Sequence, residues 1–199
     1  MGVRNFSHSS ERKIGAALSY LQIGISSASN LLYTPIMIRL IGQSEYGLYG
    51  TINSFVGLLS LLNLGFSSSY IKFYSVYKIN NEQEKINRFN SLFFTVFTII
   101  AALALVIGGF FSFNLKLVFD QGLTGSEYSK ARVMMILLTL STAVTFFVTV
   151  FNCYISAHQK FIYIKTLSIA STVIKLVVDL IVLKLGCGAV GLVVVTFAA

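Results

Sequence analysis

The sequence predicts an all-α membrane protein, a polytopic bundle of transmembrane helices with five complete spans and a truncated sixth. Its 199 residues are 55% hydrophobic and only 11% charged. The apolar residues stand in long uncharged blocks and not in amphipathic stripes, and such a pattern is typical of lipid-embedded helices. Because a helix rises ~1.5 Å per residue, about 20 apolar residues cross a hydrocarbon layer of ~30 Å. A soluble globular fold is thereby excluded.

The uncharged blocks place the spans along the chain. Ile14 to Ile38 and Gly47 to Ile71 are runs of 25 residues each without Asp, Glu, Lys or Arg, joined by a short polar turn. An alternative for the first block is a cleaved signal peptide, but the apolar run resumes at once after its small residues. Residues 1–13 form the predicted N-terminal tail, and the predicted bundle covers 14–199. The spans are about 14–40, 47–71, 89–113, 133–157 and 163–185, with 189–199 incomplete.

The sixth block is too short to cross a bilayer. Eleven residues reach only ~16 Å as a helix. We therefore expect the chain to be a fragment of a longer protein, one that is not competent to act alone.

The basic residues, which give a net charge of +8, indicate an orientation. Nine of them lie in the tail and in the connections after the second and fourth spans, whereas five lie at the other ends of the spans. By the positive-inside rule, the larger group marks the cytoplasmic side, and the N-terminus is predicted to be cytoplasmic. No basic cluster is interleaved with aromatic residues, so nucleic acid is not an expected partner.

Polar side chains follow one face of several predicted helices. In lipid such residues line a polar cavity or form hydrogen bonds between packed helices, and the stripes alone leave both interpretations open. The candidate cavity-lining residues are Asn53, Asn63, Thr145, Thr149, Asn152, Ser168 and Thr172.

Within the fifth predicted span, the segment from about Thr166 to Leu183 carries two charged residues, Lys175 and Asp179, one turn apart. An ionisable group at mid-membrane costs at least ~2.5 to 3.5 kcal/mol and usually has a role, although a Lys/Asp pair also neutralises itself. Pro35, the only proline, is predicted to bend the first helix. Arg39 follows one turn later, at the predicted outer end.

Signatures of catalysis are absent from the sequence. The two histidines, His8 and His158, lie in separate loops, and no carboxylate cluster or glycine-rich phosphate loop is present. We therefore expect no enzyme activity, catalytic residue, metal or cofactor. Cys153 and Cys187 are predicted to lie near opposite faces of the membrane, as free thiols.

The first hairpin resembles the start of the bacterial oligosaccharide flippases. This is the polysaccharide-biosynthesis branch of the multidrug/oligosaccharidyl-lipid/polysaccharide exporter superfamily. The resemblance is carried by RKIGAALSYLQIGISSASNLLYTPIMIRLIGQSEYGLYG and then LLSLLNLGFSSSYIKFYS. It implies a fold of about 12 to 14 transmembrane helices in two lobes around a cavity, of which this chain supplies the first. It also implies a location in the bacterial plasma (inner) membrane.

The resemblance implies a transport function. Family members export undecaprenyl-diphosphate-linked oligosaccharide units by alternating access, for O-antigen, capsule, exopolysaccharide or lipopolysaccharide biosynthesis. Cationic cavity side chains suit the diphosphate, which makes Arg39 and Lys175, with Lys72 third, the candidates for the head group. Asp179 would pair with Lys175 or carry a coupling proton. Expected partners are the lipid-linked substrate, membrane lipids, and a polysaccharide polymerase with its assembly proteins.

Two other functions remain open. A drug or small-cation exporter of the same superfamily would use acidic cavity residues, of which only Asp179 is available. A non-transporting membrane scaffold would use the polar stripes as packing seams.

Overall fold

The computed structural model describes residues 4–63, 65–119, 124–157 and 161–198, and it contains α-helices and short 3-10 turns but no strand within these ranges. The all-α prediction is therefore confirmed for the described chain. The helices are α1 (Arg4–Ile41), α2 (Gln43–Leu59), α3 (Phe66–Ile79), α4 (Gln83–Phe113), α5 (Gly125–Ala157), α6 (Phe161–Lys184) and α7 (Gly188–Ala198).

Four stretches of helix are long and apolar enough to cross a membrane: 43–79, 83–113, 125–157 and 165–184. They contain or match the second to fifth predicted spans. The first predicted span, 14–40, lies within α1 but is not among the four, because hydroxyl and amide side chains lower its mean hydropathy. The predicted sixth segment corresponds to α7, a short apolar helix. The count of five complete spans is therefore only partly supported.

The second span is not the continuous helix that we predicted over 47–71. It is divided into α2 and α3 by a 3-10 turn, Ser60–Asn63, and by Gly65, whose φ of 74° is left-handed. Glycine adopts this conformation without the steric cost that a Cβ imposes. The Ser68 hydroxyl donates to the Gly65 carbonyl at 2.7 Å, and the Ser67 hydroxyl to Asn63 Oδ1 at 3.3 Å. These polar groups therefore hydrogen-bond to one another within the break.

Helix α5 is the centre of the bundle and packs against α2, α3, α4 and α7. Its closest neighbour is α4, which buries Ala101, Ala104, Gly108 and Ser112 at a spacing of three or four residues. Small residues at this spacing let two membrane helices approach closely. A Cβ added at Gly108 would overlap the Thr139 side chain of α5. The contact between α4 and α5 therefore depends on the missing side chain at Gly108.

Contacts between helix ends show that the helices alternate in direction. At one end, Lys130 at the start of α5 forms an ion pair of 3.0 Å with Glu45 at the start of α2. The same Glu45 oxygen accepts the Ala189 N–H of α7 at 3.4 Å. At the other end, the Tyr70 hydroxyl of α3 donates to Asn90 Oδ1 of α4 at 2.7 Å. Three helices thus begin together at one end of the bundle, as the alternating topology requires.

Candidate functional site

The candidate site lies where α1 packs along α6, the principal neighbour of α1. The two helices run in the same direction, because Gln22 contacts Lys165 and, further along both helices, Tyr33 approaches Asp179. The three intervening spans, 43–79, 83–113 and 125–157, produce this parallel arrangement. The two charged residues predicted within the fifth span lie on this side of the bundle.

Lys175 and Asp179 form an ion pair in the interior of α6. Lys175 Nζ lies 3.2 Å from Asp179 Oδ2, and the side chains are 34% and 8% exposed respectively. Lys175 also donates to the Thr196 hydroxyl of α7 at 2.8 Å, and that hydroxyl donates to the Leu192 carbonyl at 2.9 Å. The ammonium group therefore links α6 to α7 while part of its surface stays accessible.

The carboxylate of Asp179 is buried and incompletely hydrogen-bonded. The Tyr33 hydroxyl approaches it from α1. Neither that hydroxyl nor Asp179 Oδ1 makes a hydrogen bond of good geometry among the described residues. Met37, Leu183 and their apolar neighbours pack nearby along α1 and α6. A buried carboxylate oxygen without a donor is costly, so the charge of Asp179 depends on its ion pair with Lys175.

The other two predicted head-group ligands lie apart from this ion pair. Arg39, near the end of α1, and Lys72, on α3, are both exposed. Neither forms an ion pair with a side chain that the structure describes. The structure therefore gives Lys175 polar partners on α6 and α7. Arg39 and Lys72 are instead exposed cations. Pro35 lies inside α1, as predicted.

Most of the predicted cavity-lining hydroxyls hydrogen-bond to their own helix. Thr145, Thr149 and Thr172 each donate to the carbonyl four residues earlier, at 2.8 to 2.9 Å. This arrangement satisfies the hydroxyl without a partner on another helix. The amides Asn53 and Asn152 are exposed on α2 and α5, Asn63 belongs to the helix break, and Ser168 supplies the carbonyl for Thr172. These seven residues thus lie on α2, α5 and α6 and at the helix break, and their role as cavity-lining residues stays a prediction.

A polar cavity that the sequence prediction missed lies between α1 and α6. It has a volume of about 330 Å³, and Lys165 Nζ donates to Gln22 Oε1 at 3.2 Å within it. Its signal was present in the sequence, since Lys165 precedes Ser168 by three residues and extends the polar face of the fifth span by one turn. The lining residues are Ser19, Gln22, Ile23, Ser26, Ser27, Asn30 and Lys165.

These features define the class of protein: an α-helical membrane protein with an ion pair inside one helix and a polar cavity beside it. The family model described as polysaccharide biosynthesis protein matches residues 15–199, and the chain belongs to this family, which includes lipid-linked oligosaccharide flippases. The suspected family is thus confirmed. No curated protein and no solved structure matches the chain.

Proposed function

We propose that this chain is the first lobe of a flippase that moves undecaprenyl-diphosphate-linked oligosaccharide across the bacterial inner membrane for surface polysaccharide synthesis. In this proposal α1 completes five crossings, α7 begins the sixth, and the N-terminus is cytoplasmic. The substrate is a lipid-linked oligosaccharide, and a polysaccharide polymerase with its assembly proteins receives the product. The family assignment supports the biosynthetic context, and the details of substrate and mechanism are our inference.

The observation that carries the proposal is the placement of Lys175. It stands 14 residues after the start of α6 and 9 before its end, Phe161 and Lys184, which corresponds to ~21 Å and ~14 Å along the helix. A cation at that depth attracts a diphosphate strongly, because little water screens the charge. Its 34% exposure leaves it accessible to an anion while Asp179 holds it in place.

Asp179 has two proposed roles in this mechanism. It neutralises Lys175 when no substrate is bound, and its second oxygen accepts a proton when the diphosphate takes over the ammonium group. The Tyr33 hydroxyl, adjacent to that oxygen, would then hydrogen-bond to the protonated acid. Exchange of one anionic partner of Lys175 for another keeps the intramembrane charge balanced.

A scaffold without transport activity is less well supported than a flippase. Packing seams of a scaffold would place the polar side chains against a neighbouring helix, whereas the polar side chains of α1 line an open groove beside Lys165 of α6. A small-cation exporter is disfavoured, because the acidic residue at this depth is already paired with a lysine.

The test uses the complete protein that contains this chain, reconstituted in liposomes with a fluorescent prenyl-diphosphate sugar. Transfer between leaflets is measured as protection from an impermeant quencher. Lys175→Ala is expected to lower the transfer rate at least tenfold, and Lys175→Arg to retain part of it. Lys184→Ala, at the exposed last turn of the same helix, is the matched control. Equal rates for Lys175→Ala and Lys184→Ala would remove Lys175 from the mechanism.

A further inference from the structure

Helix α7 reaches from the end of the bundle where α2 and α5 begin to the lysine in the interior of α6. In its first turn, the Ala189 N–H donates to Glu45 Oε1 at 3.4 Å, and the same oxygen accepts from Lys130 at 3.0 Å. Near its other end, the Thr196 hydroxyl accepts from Lys175 at 2.8 Å. The seven residues from Ala189 to Thr196 span ~10 Å of helix. One short helix thus contacts a member of each of two ion pairs.

The first turn of α7 lies closely against Glu45. A Cβ added at Gly188 would come within 2.8 Å of Glu45 Oε1, so the carboxylate occupies space that only glycine leaves open. Gly188 also has a φ of 62°, a left-handed conformation that glycine adopts without steric cost. At the N-terminal end of a helix the first N–H groups lack partners within the helix, and the helix dipole favours a negative charge. Displacement of Glu45 would therefore release the beginning of α7.

The part of α7 between the two contacts is buried. Ala189, Leu192 and Val193 are 0 to 1% exposed. Ala189 and Val193 belong to the main hydrophobic core, whereas Leu192 packs with Met37 of α1 and Leu183 of α6. A close-packed helix that is held on two sides moves as one body, because its hydrogen bonds fix the rise from turn to turn. Movement of the first turn of α7 is therefore transmitted to Thr196.

We propose that α7 is a strut, a rigid element through which Glu45 positions Lys175. In the docked state, Glu45 accepts the Ala189 N–H and Thr196 accepts the lysine. In the released state, the first turn leaves Glu45 and both contacts are lost together. Two such states are what coupling between separate sites requires, and the coupling is reciprocal. Because the strut requires no substrate, this proposal goes beyond the proposed function and does not rest on it.

The first experiment measures amide hydrogen exchange by mass spectrometry in the purified complete protein in nanodiscs, without substrate. Thr196→Val removes the hydroxyl acceptor of Lys175, and exchange is read two turns away, in residues 188–192. We expect exchange there to be roughly 2- to 30-fold faster, the range that couplings of this kind span. Thr196→Ser keeps the hydroxyl and should leave exchange unchanged. Residues 114–118, a turn at the same end of the bundle, are the internal control.

Thr172→Val is the matched control variant. The Thr172 hydroxyl lies on α6 about one turn before Lys175, and it donates to the Ser168 carbonyl of its own helix. Exchange in 188–192 should not respond to this substitution. The proposal is overturned if Thr196→Val leaves that segment unchanged, if Thr172→Val has an equal effect, or if exchange in 114–118 rises by the same factor, which would indicate general loosening.

The second experiment tests the reciprocal direction by combining Glu45→Gln with Thr196→Val. Unfolding by dodecyl sulfate is followed by circular dichroism. Separate sites without shared partners have additive effects, whereas two anchors of one strut do not, because loss of either anchor releases the same helix. The effect of Thr196→Val on the unfolding equilibrium constant should be at least ~3-fold smaller in the Glu45→Gln background than in the native protein.

Glu84→Gln provides the matched background for this cycle. Glu84 is an exposed acidic residue in the first turn of α4, so its replacement removes a similar charge from a similar position on another helix. In this background Thr196→Val should have its full effect. Equal effects of Thr196→Val in the Glu45→Gln and Glu84→Gln backgrounds would show that the two ends of α7 are independent and would overturn the proposal.

Discussion

Removal of Lys175 from the ion pair inside α6 is expected to cost more free energy of unfolding than removal of the charge on Asp179. Asp179 is 8% exposed and Lys175 34% exposed, so the two partners differ in their access to polar surroundings. Lys175→Met leaves a buried carboxylate without its counter-ion, which typically costs about 3 to 5 kcal/mol. Asp179→Asn leaves a lysine that still donates to Thr196, and it should cost only ~1 kcal/mol, the value of one hydrogen bond.

The double variant Lys175→Met/Asp179→Asn removes both charges and should again cost only about 1 kcal/mol, so the two single effects are not additive. The expected coupling free energy is therefore about 3 kcal/mol or more. The assay is unfolding in mixed micelles by increasing dodecyl sulfate, followed by circular dichroism, with Lys184→Met as the exposed control. Additive effects, or a larger loss for Asp179→Asn than for Lys175→Met, would refute the reasoning from burial.

Three further predictions follow from packing and exposure. Gly108→Val should destabilise the bundle by about 1 to 3 kcal/mol, because its side chain would overlap Thr139, while Gly109→Val, with open space around its Cα, is the control in the same unfolding assay. Glu45→Gln should cost ~1 kcal/mol by weakening its contacts with α5 and α7, and an unchanged unfolding midpoint would contradict this role. Cys187 is exposed and Cys153 is buried, so an impermeant maleimide should label only Cys187 in intact spheroplasts if the N-terminus is cytoplasmic. If Cys187 is labelled only after the membranes are permeabilised, the prediction of a cytoplasmic N-terminus is wrong.

Hydropathy was sufficient to predict the helical class and the second to fifth spans, because lipid requires backbone hydrogen bonds to be closed within each segment. It did not predict the break at Gly65. A single glycine is tolerated in many membrane helices, and the left-handed conformation depends on tertiary packing. The first span was predicted from its uncharged length, and the polar face of α1 contacts Lys165, a partner remote in sequence.

The candidate site was predicted in part. Lys175 and Asp179 were identified because their i,i+4 spacing on an apolar helix is visible in sequence, and the structure shows their contact. Lys165 was not among the candidate site residues, because it was counted with the connection after the fourth span as a mark of orientation. Its contact with Gln22 joins residues 143 positions apart, and the polar spacing on a single helix carries no information about such a partner.

The pairing of α1 with α6 has a consequence for membrane insertion. Synthesis produces α1 first, whereas its principal neighbour follows only after α2 to α5 have been made. During that interval, Gln22 lacks the lysine that donates to it in the finished bundle. Its amide oxygen must therefore find another donor, from water or from the insertion machinery, until α6 is made. The pairing of α1 with α6 can therefore form only late in synthesis, after four other helices of the described chain are in place.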